Sequence, residues 1–136
     1  MTIQKRAKVM KFNQLGDDRG HLVVIEGSKN IPFEIARVFY IYGSEKSVVR
    51  GQHANKESEF ILINVNGKSK VKMDYGSSQE VIDLYEPHMG VYIPKMVWKE
   101  MYDFSTDSVL LVLSNMKYNP EEYIRDYNQY LNMLKG

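Results

Sequence analysis

Residues 50–60, RGQHANKESEF, contain the side chains best suited to chemistry in this sequence. His53 is followed by Asn55 two positions later and by Glu59 six positions later. An imidazole has an unperturbed pKa of about 6.5, so it can act as a general base near neutral pH. Imidazole and carboxylate groups also bind transition metals. The segment therefore indicates a metal site, a catalytic base or a structural histidine.

The composition limits the classes of function. The chain has 136 residues, with 18 Lys and Arg mixed among 17 Asp and Glu, and it has no cysteine. These features predict one domain over residues 1–136, no nucleic-acid partner, no disulfide and no cysteine nucleophile. The N-terminal segment MTIQKRAKVMKF lacks an apolar region, and no window approaches the ~18 apolar residues of a membrane span. We expect a soluble cytoplasmic protein that does not bind a membrane.

Short apolar runs separated by turn residues cover the first 115 positions. This pattern predicts an all-β sandwich or barrel. The expected strands are residues 21–26, 36–43, 60–65, 68–74, 80–85, 90–94, 98–104 and 108–115.

Asn66-Gly67 lies between two of these strands, and this dipeptide suits a type I′ turn. We therefore predict a β-hairpin over residues 60–74. Its period of two places Ile61, Ile63 and Val65 on one face, where Val71 and Met73 would answer them on the core side.

The last segment changes to a helical period. Asn119 resembles an N-cap, Pro120 suits the first helical position, and two glutamates follow. Ile124, Tyr127, Leu131 and Leu134 then recur at helical spacing. One amphipathic C-terminal helix is predicted.

Many short strands in a small domain are typical of a jelly roll, and cupins are jelly rolls with a ligand or metal in the barrel mouth. The cupin metal motifs are matched in part by Gly51, His53, Asn55, Glu59 and Gly67, and later by Pro94, Met96 and Lys99. The last metal-binding histidine is thus replaced by Lys99, whose ammonium would repel a metal cation. We expect no metal, which leaves His53 as a base.

Longer segments carry a family resemblance: DDRGHLVVIE, IPFEIARVFYIY, RGQHANK, GVYIPKMVWKEMYDFS, SVLLVLSN and YIRDY. From about residue 8 to residue 130 the chain resembles the dTDP-4-keto-6-deoxyglucose 3,4-ketoisomerases, which are metal-independent sugar-nucleotide cupins. The resemblance implies an all-β cupin jelly-roll barrel that forms a homodimer by exchanging N-terminal strands. It also implies an isomerase without a cofactor, which moves a ketone from C4 to C3 of a dTDP-linked deoxysugar. The products would feed 3-amino-3,6-dideoxysugar synthesis for lipopolysaccharide, O-antigen and similar products.

The resemblance also implies roles for single residues. His53 keeps the position of the base, whereas Asn55 replaces the second histidine of the family's pair. An amide can hydrogen-bond the sugar but cannot exchange a proton near neutral pH. Tyr40 lies in the family's tyrosine-containing strand, and we expect it to be the substitute acid.

Other residues are expected to bind the substrate. Arg19 and Arg50 carry fixed charge suited to a diphosphate, and His21 could face the sugar. Lys99 would reach the diphosphate, the sugar or the solvent. Glu59 would either orient His53 or be a solvated charge at a strand end.

Two alternatives remain from the sequence. A dTDP-sugar 3,5-epimerase shares the nucleotide and the deprotonation step, but such enzymes are usually longer. A non-catalytic sugar-nucleotide-binding cupin would need the cavity without a base. The loss of the second histidine makes this alternative more plausible than it would be with an intact pair.

Overall fold

The computed structural model describes residues 4–136, which form two facing antiparallel β-sheets, a separate hairpin and one α-helix. The elements are β1 (Lys8–Lys11), β2 (Gln14–Asp17), β3 (Gly20–Val23), β4 (Arg37–Tyr42), β5 (Arg50–Asn55), β6 (Phe60–Asn66), β7 (Ser69–Asp74), β8 (Gln79–Leu84), β9 (Met89–Ile93), β10 (Trp98–Tyr102), β11 (Val109–Ser114), a 3₁₀ turn (Pro120–Glu122), β12 (Tyr123–Ile124) and α1 (Tyr127–Lys135).

Ten of the twelve strands within residues 4–136 are divided between two five-stranded sheets. The first sheet has the order β1-β9-β6-β11-β4, and the second has the order β12-β5-β10-β7-β8. β2 and β3 pair with each other in a separate two-stranded sheet. This arrangement confirms the predicted all-β jelly-roll barrel with a C-terminal helix. Strands β1, β2, β5 and β12 were not among the predicted ones.

The main core fills the space between the sheets. Phe60 and Leu62 of β6 face inward and pack with Val71, Met73 and other side chains of the facing sheet. The opposite face of β6 is covered as well, because Ile61 and Ile63 pack with Phe12, Ile31 and Phe33. β6 is therefore buried on both faces, which explains why it reads as a continuous apolar run.

The predicted hairpin over residues 60–74 is wrong. β6 pairs with β9 and β11, whereas β7 pairs with β8 and β10 in the other sheet. Gly67 has a φ of +70° at this crossing, but Asn66 does not have the positive φ that a type I′ turn also requires, and the strands on either side of the dipeptide are not partners. Ile61 and Ile63 lie in a different core cluster from Val71 and Met73, and Val65 is exposed. Alternation along a strand defines its two faces but not the sheet to which it belongs.

The predicted start of the C-terminal helix is also wrong. Asn119 caps a short 3₁₀ turn, accepting a hydrogen bond from the Glu121 backbone N–H at 3.1 Å. The chain then extends through β12, and α1 begins after Asp126, whose side chain caps it. Tyr130 on α1 packs against Trp98 of the barrel. No helix among residues 4–136 is long and apolar enough to cross a membrane.

The two faces of β8 allow a matched test of where the core lies. Leu84 is fully buried and Val81 is 51% exposed. Leu84→Ala should lower the free energy of unfolding by about 2–5 kcal/mol, because it removes buried methyl groups and leaves a cavity. Val81→Ala should cost less than about 1 kcal/mol. Urea unfolding of both variants measures the difference, and equal losses would contradict this placement of the core.

Candidate active site

The predicted base, His53, lies in a cavity between the two sheets. The cavity has a volume of about 220 Å³, and its wall is mainly apolar on the side of the first sheet. It is lined by Phe39, Ile41, Arg50, Gly51, His53, Phe60, Leu62, Lys99, Met101, Val112, Tyr118, Tyr123 and Arg125. A larger groove of about 940 Å³ borders α1 but has no histidine in its wall. The cavity in the barrel is therefore the candidate site.

A bulge in β5 positions His53. His53 pairs with Lys99 of β10, but the next pair is Gly51 with Glu100, so β5 has one extra residue. Gly51 and Gln52 both have positive φ values there. A Cβ atom on Gly51 would lie 2.9 Å from the Lys99 carbonyl oxygen, so the close approach of the strands requires glycine. Bulges redirect side chains next to active sites, and this one accompanies the placement of His53 in the cavity wall.

The hydrogen bond of His53 determines which ring nitrogen is available. Nδ1 lies 2.9 Å from the Gly51 carbonyl oxygen. Because a carbonyl oxygen can only accept, Nδ1 carries the proton, and Nε2 of the neutral ring keeps its lone pair. Burial, followed by the nearby Lys99 ammonium, lowers the pKa of His53 to about 3. The imidazole is thus neutral at physiological pH and can accept a proton.

Asn55 joins Lys99 to Glu122 behind the cavity. The Lys99 ammonium donates to Asn55 Oδ1 at 2.8 Å, and Asn55 Nδ2 donates to Glu122 Oε2 at 2.6 Å. Lys99 Nζ also lies 4.2 Å from the centre of the Phe60 ring. Asn55 is buried and is not part of the cavity wall, so its predicted contact with the sugar does not occur in this geometry.

The Glu122 carboxylate is held by several donors. Its oxygens accept hydrogen bonds from the backbone N–H groups of Glu57 and Ser58 and from the Ser58 hydroxyl. Burial alone would raise the pKa of Glu122, but the hydrogen bonds from Ser58, Glu57 and Asn55 outweigh it and hold the pKa below its usual value. A carboxylate therefore stands at the end of the chain that begins at Lys99.

Burial has a strong effect on Lys99. It lowers the pKa of the ammonium to about 7, Glu122 opposes this lowering, and the Arg37 guanidinium adds to it. A group with a pKa near neutrality can both donate and accept a proton at working pH. The site thus contains two titratable groups on adjacent strands, His53 and Lys99.

Arginines make the cavity electropositive. Arg50 and Arg125 are part of the wall; Arg50 donates to the Ser44 hydroxyl, and Arg125 lies over the Tyr123 ring. Arg37 Nη1 donates to the Tyr123 hydroxyl at 3.2 Å. Its Nε and Nη2 atoms are buried without a partner among the described residues. Fixed guanidinium groups of this kind suit a phosphate or diphosphate.

Tyr40 is not placed as predicted. Val38, Tyr40 and Tyr42 share one face of β4, but that face points away from the barrel, and Tyr40 is 61% exposed. The inward positions are Phe39 and Ile41, which line the cavity. Tyr40 therefore cannot act as the acid for His53 of its own chain. Phe39, which precedes Tyr40 and is part of the cavity wall, has no hydroxyl.

Glu59 does not orient His53. Its carboxylate accepts hydrogen bonds from the Tyr92 hydroxyl and from Asn115 Nδ2. These contacts join the start of β6 to β9 and to the residue that follows β11, and they lie outside the cavity wall. The carboxylate near the site belongs to Glu122. The sequence pattern indicated Glu122 only as an acidic residue in the first turn of a helix that begins at Pro120.

Arg19 and His21 also lie outside the cavity of their own chain. They belong to the β2–β3 hairpin and its turn, and Arg19 forms an ion pair with Asp17. Arg50 and Lys99, in contrast, are part of the cavity wall. Tyr123 and Arg125 were missed as site residues, although the YIRDY segment that contains them contributed to the family resemblance.

The side chains present do not fit the metal site of a cupin. Glu59 is bound elsewhere, Asn55 is bound to Lys99 and Glu122, and the lysine ammonium faces His53. Among residues 4–136, no group of three His, Cys, Asp or Glu side chains could hold a metal ion. Fold and site together define a cupin-type barrel in which an imidazole and an amine, rather than metal ligands, face an electropositive cavity.

Comparisons with known proteins agree with this class. Residues 5–135 match the family described as FdtA: WxcM-like, C-terminal. The chain is 43% identical over 123 residues to the TDP-4-oxo-6-deoxy-alpha-D-glucose-3,4-oxoisomerase of Aneurinibacillus thermoaerophilus, covering 90% of this chain and 88% of that protein. The chain belongs to the FdtA family and is an isomerase.

Solved structures show the same fold. A single-residue variant of the 3,4-ketoisomerase QdtA from Thermoanaerobacterium thermosaccharolyticum, in complex with TDP-4-keto-6-deoxyglucose, has a TM-score of 0.94 at 38% identity, with 98% of this chain and 96% of that chain covered. A 3,4-ketoisomerase from Helicobacter canadensis has a TM-score of 0.93 at 41% identity, with 96% and 98% covered.

The lowered pKa of His53 predicts a pH dependence of stability. The unfolded chain binds a proton at His53 below about pH 6.5, whereas the folded chain does not until about pH 3. This stabilising contribution is complete above pH ~6.5 and is lost as the pH falls towards 3, by up to roughly 1.4 kcal/mol per pH unit. Urea unfolding between about pH 7 and pH 4 should therefore show a steeper loss in the wild type than in His53→Asn. Parallel curves would contradict the burial of a neutral imidazole.

Proposed function

We propose that this protein is a dTDP-4-keto-6-deoxyglucose 3,4-ketoisomerase, which converts its substrate to a dTDP-3-keto-6-deoxyhexose without a metal or cofactor. The observation that carries the proposal is the neutral imidazole of His53, with its Nε2 lone pair, in a cavity bordered by arginines. The named activities of the relatives support the same reaction. The product would supply 3-amino-3,6-dideoxysugar synthesis for lipopolysaccharide, O-antigen or related glycans. A cytoplasmic location fits a nucleotide-linked substrate.

The reaction needs a base at one carbon atom. The C4 ketone acidifies the C3 hydrogen, so His53 can remove it to form an enediol or enediolate, and return of a proton to C4 leaves the ketone at C3. General base catalysis by a positioned side chain contributes roughly 10²–10⁴-fold. The apolar wall formed by Phe39, Phe60 and Leu62 excludes water and strengthens charge interactions at the reacting atoms.

The arginines suit the diphosphate. Pockets for drug-sized ligands enclose roughly 300–1,000 Å³, so a cavity of about 220 Å³ suits the deoxyhexose ring alone. The diphosphate and thymidine would then extend past Arg50 and Arg125. The orphaned nitrogen atoms of Arg37 would strengthen the positive potential behind them.

Proton NMR in D₂O tests the reaction directly. Incubation of dTDP-4-keto-6-deoxyglucose with the wild type should remove the hydrogen from C3 and give a 3-keto product, whose C4 carries the hydrogen returned by His53, or deuterium wherever the imidazole proton has exchanged with D₂O before its return. His53→Asn should still bind TDP, measured by calorimetry, but should lose turnover by roughly 10²-fold or more, because an amide is not a base.

Other outcomes would assign a different function. Exchange at C3 and C5 with the ketone still at C4 would identify a 3,5-epimerase. Nucleotide binding with neither exchange nor a 3-keto product would identify a non-catalytic binding module.

The homodimer expected from the resemblance belongs to the same proposal. Within residues 4–136, β2 and β3 pair only with each other, and Leu15 and Leu22 on them are exposed. The outer face of the edge strand β4 exposes Val38, Tyr40 and Tyr42 as well. These apolar surfaces support a dimer in which N-terminal strands are exchanged, which would bring Arg19 and His21 to the cavity of the partner.

Complementation between variants tests this exchange. Arg19→Ala and His53→Asn should each lower turnover in a pure dimer. If Arg19 acts in the partner's site, co-expressed chains should recover about a quarter of the wild-type activity, because half of the dimers are hybrids and each hybrid has one intact site. Arg19 acting within its own chain would give no recovery, and light scattering that shows a monomer would contradict the dimer itself.

A further inference from the structure

The proposed reaction moves two protons, and the site so far accounts for one. His53 transfers a proton between the carbon atoms C3 and C4. A second group must protonate the C4 oxygen and remove the proton of the C3 hydroxyl. The residue expected for this role, Tyr40, lies on the outer face of β4, and Asn55 cannot exchange a proton. The inward residue of β4 next to Tyr40 is Phe39, which has no proton to give.

Three proton-bearing side chains in the cavity wall remain besides His53 and the arginines, namely two tyrosines and one lysine. Tyr118 and Tyr123 form one edge of the cavity; the Tyr118 side chain is largely exposed, and the Tyr123 hydroxyl accepts a hydrogen bond from Arg37. Lys99 is the other kind of group. It is 4% exposed and pairs directly with His53 across β5 and β10, so both side chains lie on the inward face.

The hydrogen bonds of Lys99 leave it able to bind a ligand. An ammonium has three N–H donors. Among residues 4–136 the Lys99 ammonium has one hydrogen-bond acceptor, Asn55 Oδ1, and it also makes a cation–π contact with the Phe60 ring. Donors therefore remain for an oxygen atom placed in the cavity beside His53.

We propose, on the basis of the proposed function, that Lys99 is the second proton-transferring residue of the site. As His53 removes the C3 hydrogen, the C3–H electron pair forms the C3–C4 double bond and the C4 oxygen takes a proton from the Lys99 ammonium. The resulting amine then takes the proton of the C3 hydroxyl, the ketone forms at C3, and His53 returns its proton to C4. Both side chains end in their starting protonation states, and no other reactant is needed.

Asn55 acts through Lys99 and is a positioning residue. Its amide accepts from Lys99 and donates to Glu122, so it aligns the amine and links it to a carboxylate. Asn55 replaces the second histidine of the family's pair, and Lys99 replaces the last histidine of the cupin metal motif. These two replacements are joined by one hydrogen bond. The pKa of Lys99, lowered by burial to about 7, makes both protonation states accessible near neutral pH. The charged or titratable groups around it are His53, Glu122, Arg37, Arg50 and Arg125.

Substitutions at Lys99 separate proton transfer from charge. Lys99→Met removes the amine, and Lys99→Arg keeps a positive charge that does not give up its proton. Both should lower kcat by roughly 10²–10⁴-fold and change KM by less than about threefold. Lys95→Met is the matched control: Lys95 is exposed on the loop before β10 and lies outside the cavity wall, so kcat should be unchanged.

Specific results would overturn the inference. If Lys99→Arg keeps kcat within about fivefold, fixed charge is sufficient and no proton is transferred. A rise in KM with unchanged kcat would make Lys99 a binding residue. A Tyr123→Phe variant that loses kcat while Lys99→Met keeps it would assign the role to Tyr123.

The wild type provides a test that does not depend on the folding of a variant. The first step needs Lys99 protonated and His53 neutral, so kcat/KM should fall as the pH rises through about 7, by up to about tenfold per unit. A profile that stays flat to about pH 9 would overturn the inference. Failure of the wild type to move the ketone would reject the proposed function together with the inference, whereas turnover by Lys99→Met would reject the inference alone.

Discussion

A lysine ammonium buried inside an apolar barrel is the constraint on which the rest of the site depends. Removing an ammonium from water is costly unless it is paired and hydrogen-bonded, or unless its pKa falls and it becomes neutral. Here both responses occur, because the chain from Lys99 through Asn55 ends at the Glu122 carboxylate, and burial lowers the pKa of the amine to about 7. The Glu122 carboxylate is held in turn by the backbone N–H and the hydroxyl of Ser58. Three parts of the chain therefore meet at one point: the loop that follows β5, the strand β10 and the 3₁₀ turn.

The same constraint explains the state of the histidine. A cation on the neighbouring strand and a largely apolar cavity both disfavour imidazolium, so the ring of His53 is neutral and its tautomer is set by the Gly51 carbonyl. In a cupin with a metal, a cation would be held at this point by imidazole and carboxylate ligands. In this chain Lys99 stands at the position of the last ligand of the cupin motif, and the proposed chemistry is proton transfer to and from the substrate by two adjacent side chains rather than Lewis-acid catalysis. The bulge at Gly51 is the backbone feature that accompanies this geometry.

Exposed residues on the outer surface of the barrel also bear on the proposed function. The face of β4 that carries Tyr40 and the hairpin that carries Arg19 are left exposed by the part of the chain that the structure describes. Residues that the family resemblance associates with the substrate thus lie on surfaces that a second copy would cover. The cavity of one chain contains the proton-transferring groups and three nearby arginines, while the hairpin provides a further cation at its turn.

The sequence by itself determined the class of fold, the family and the general positions of most strands, and it singled out His53 as the candidate base. These inferences depend on local patterns and on ordered motifs, which need no knowledge of strand pairing. The tertiary structure decided which face of β4 is inward, that β6 and β7 belong to different sheets, and that the last helix starts at Tyr127. It also brought Asn55 to Lys99, 44 positions away, and to Glu122, 67 positions away. A period of two shows which side chains share a face, but register and sheet order, which depend on the packing of the whole barrel, determine which of those faces meet.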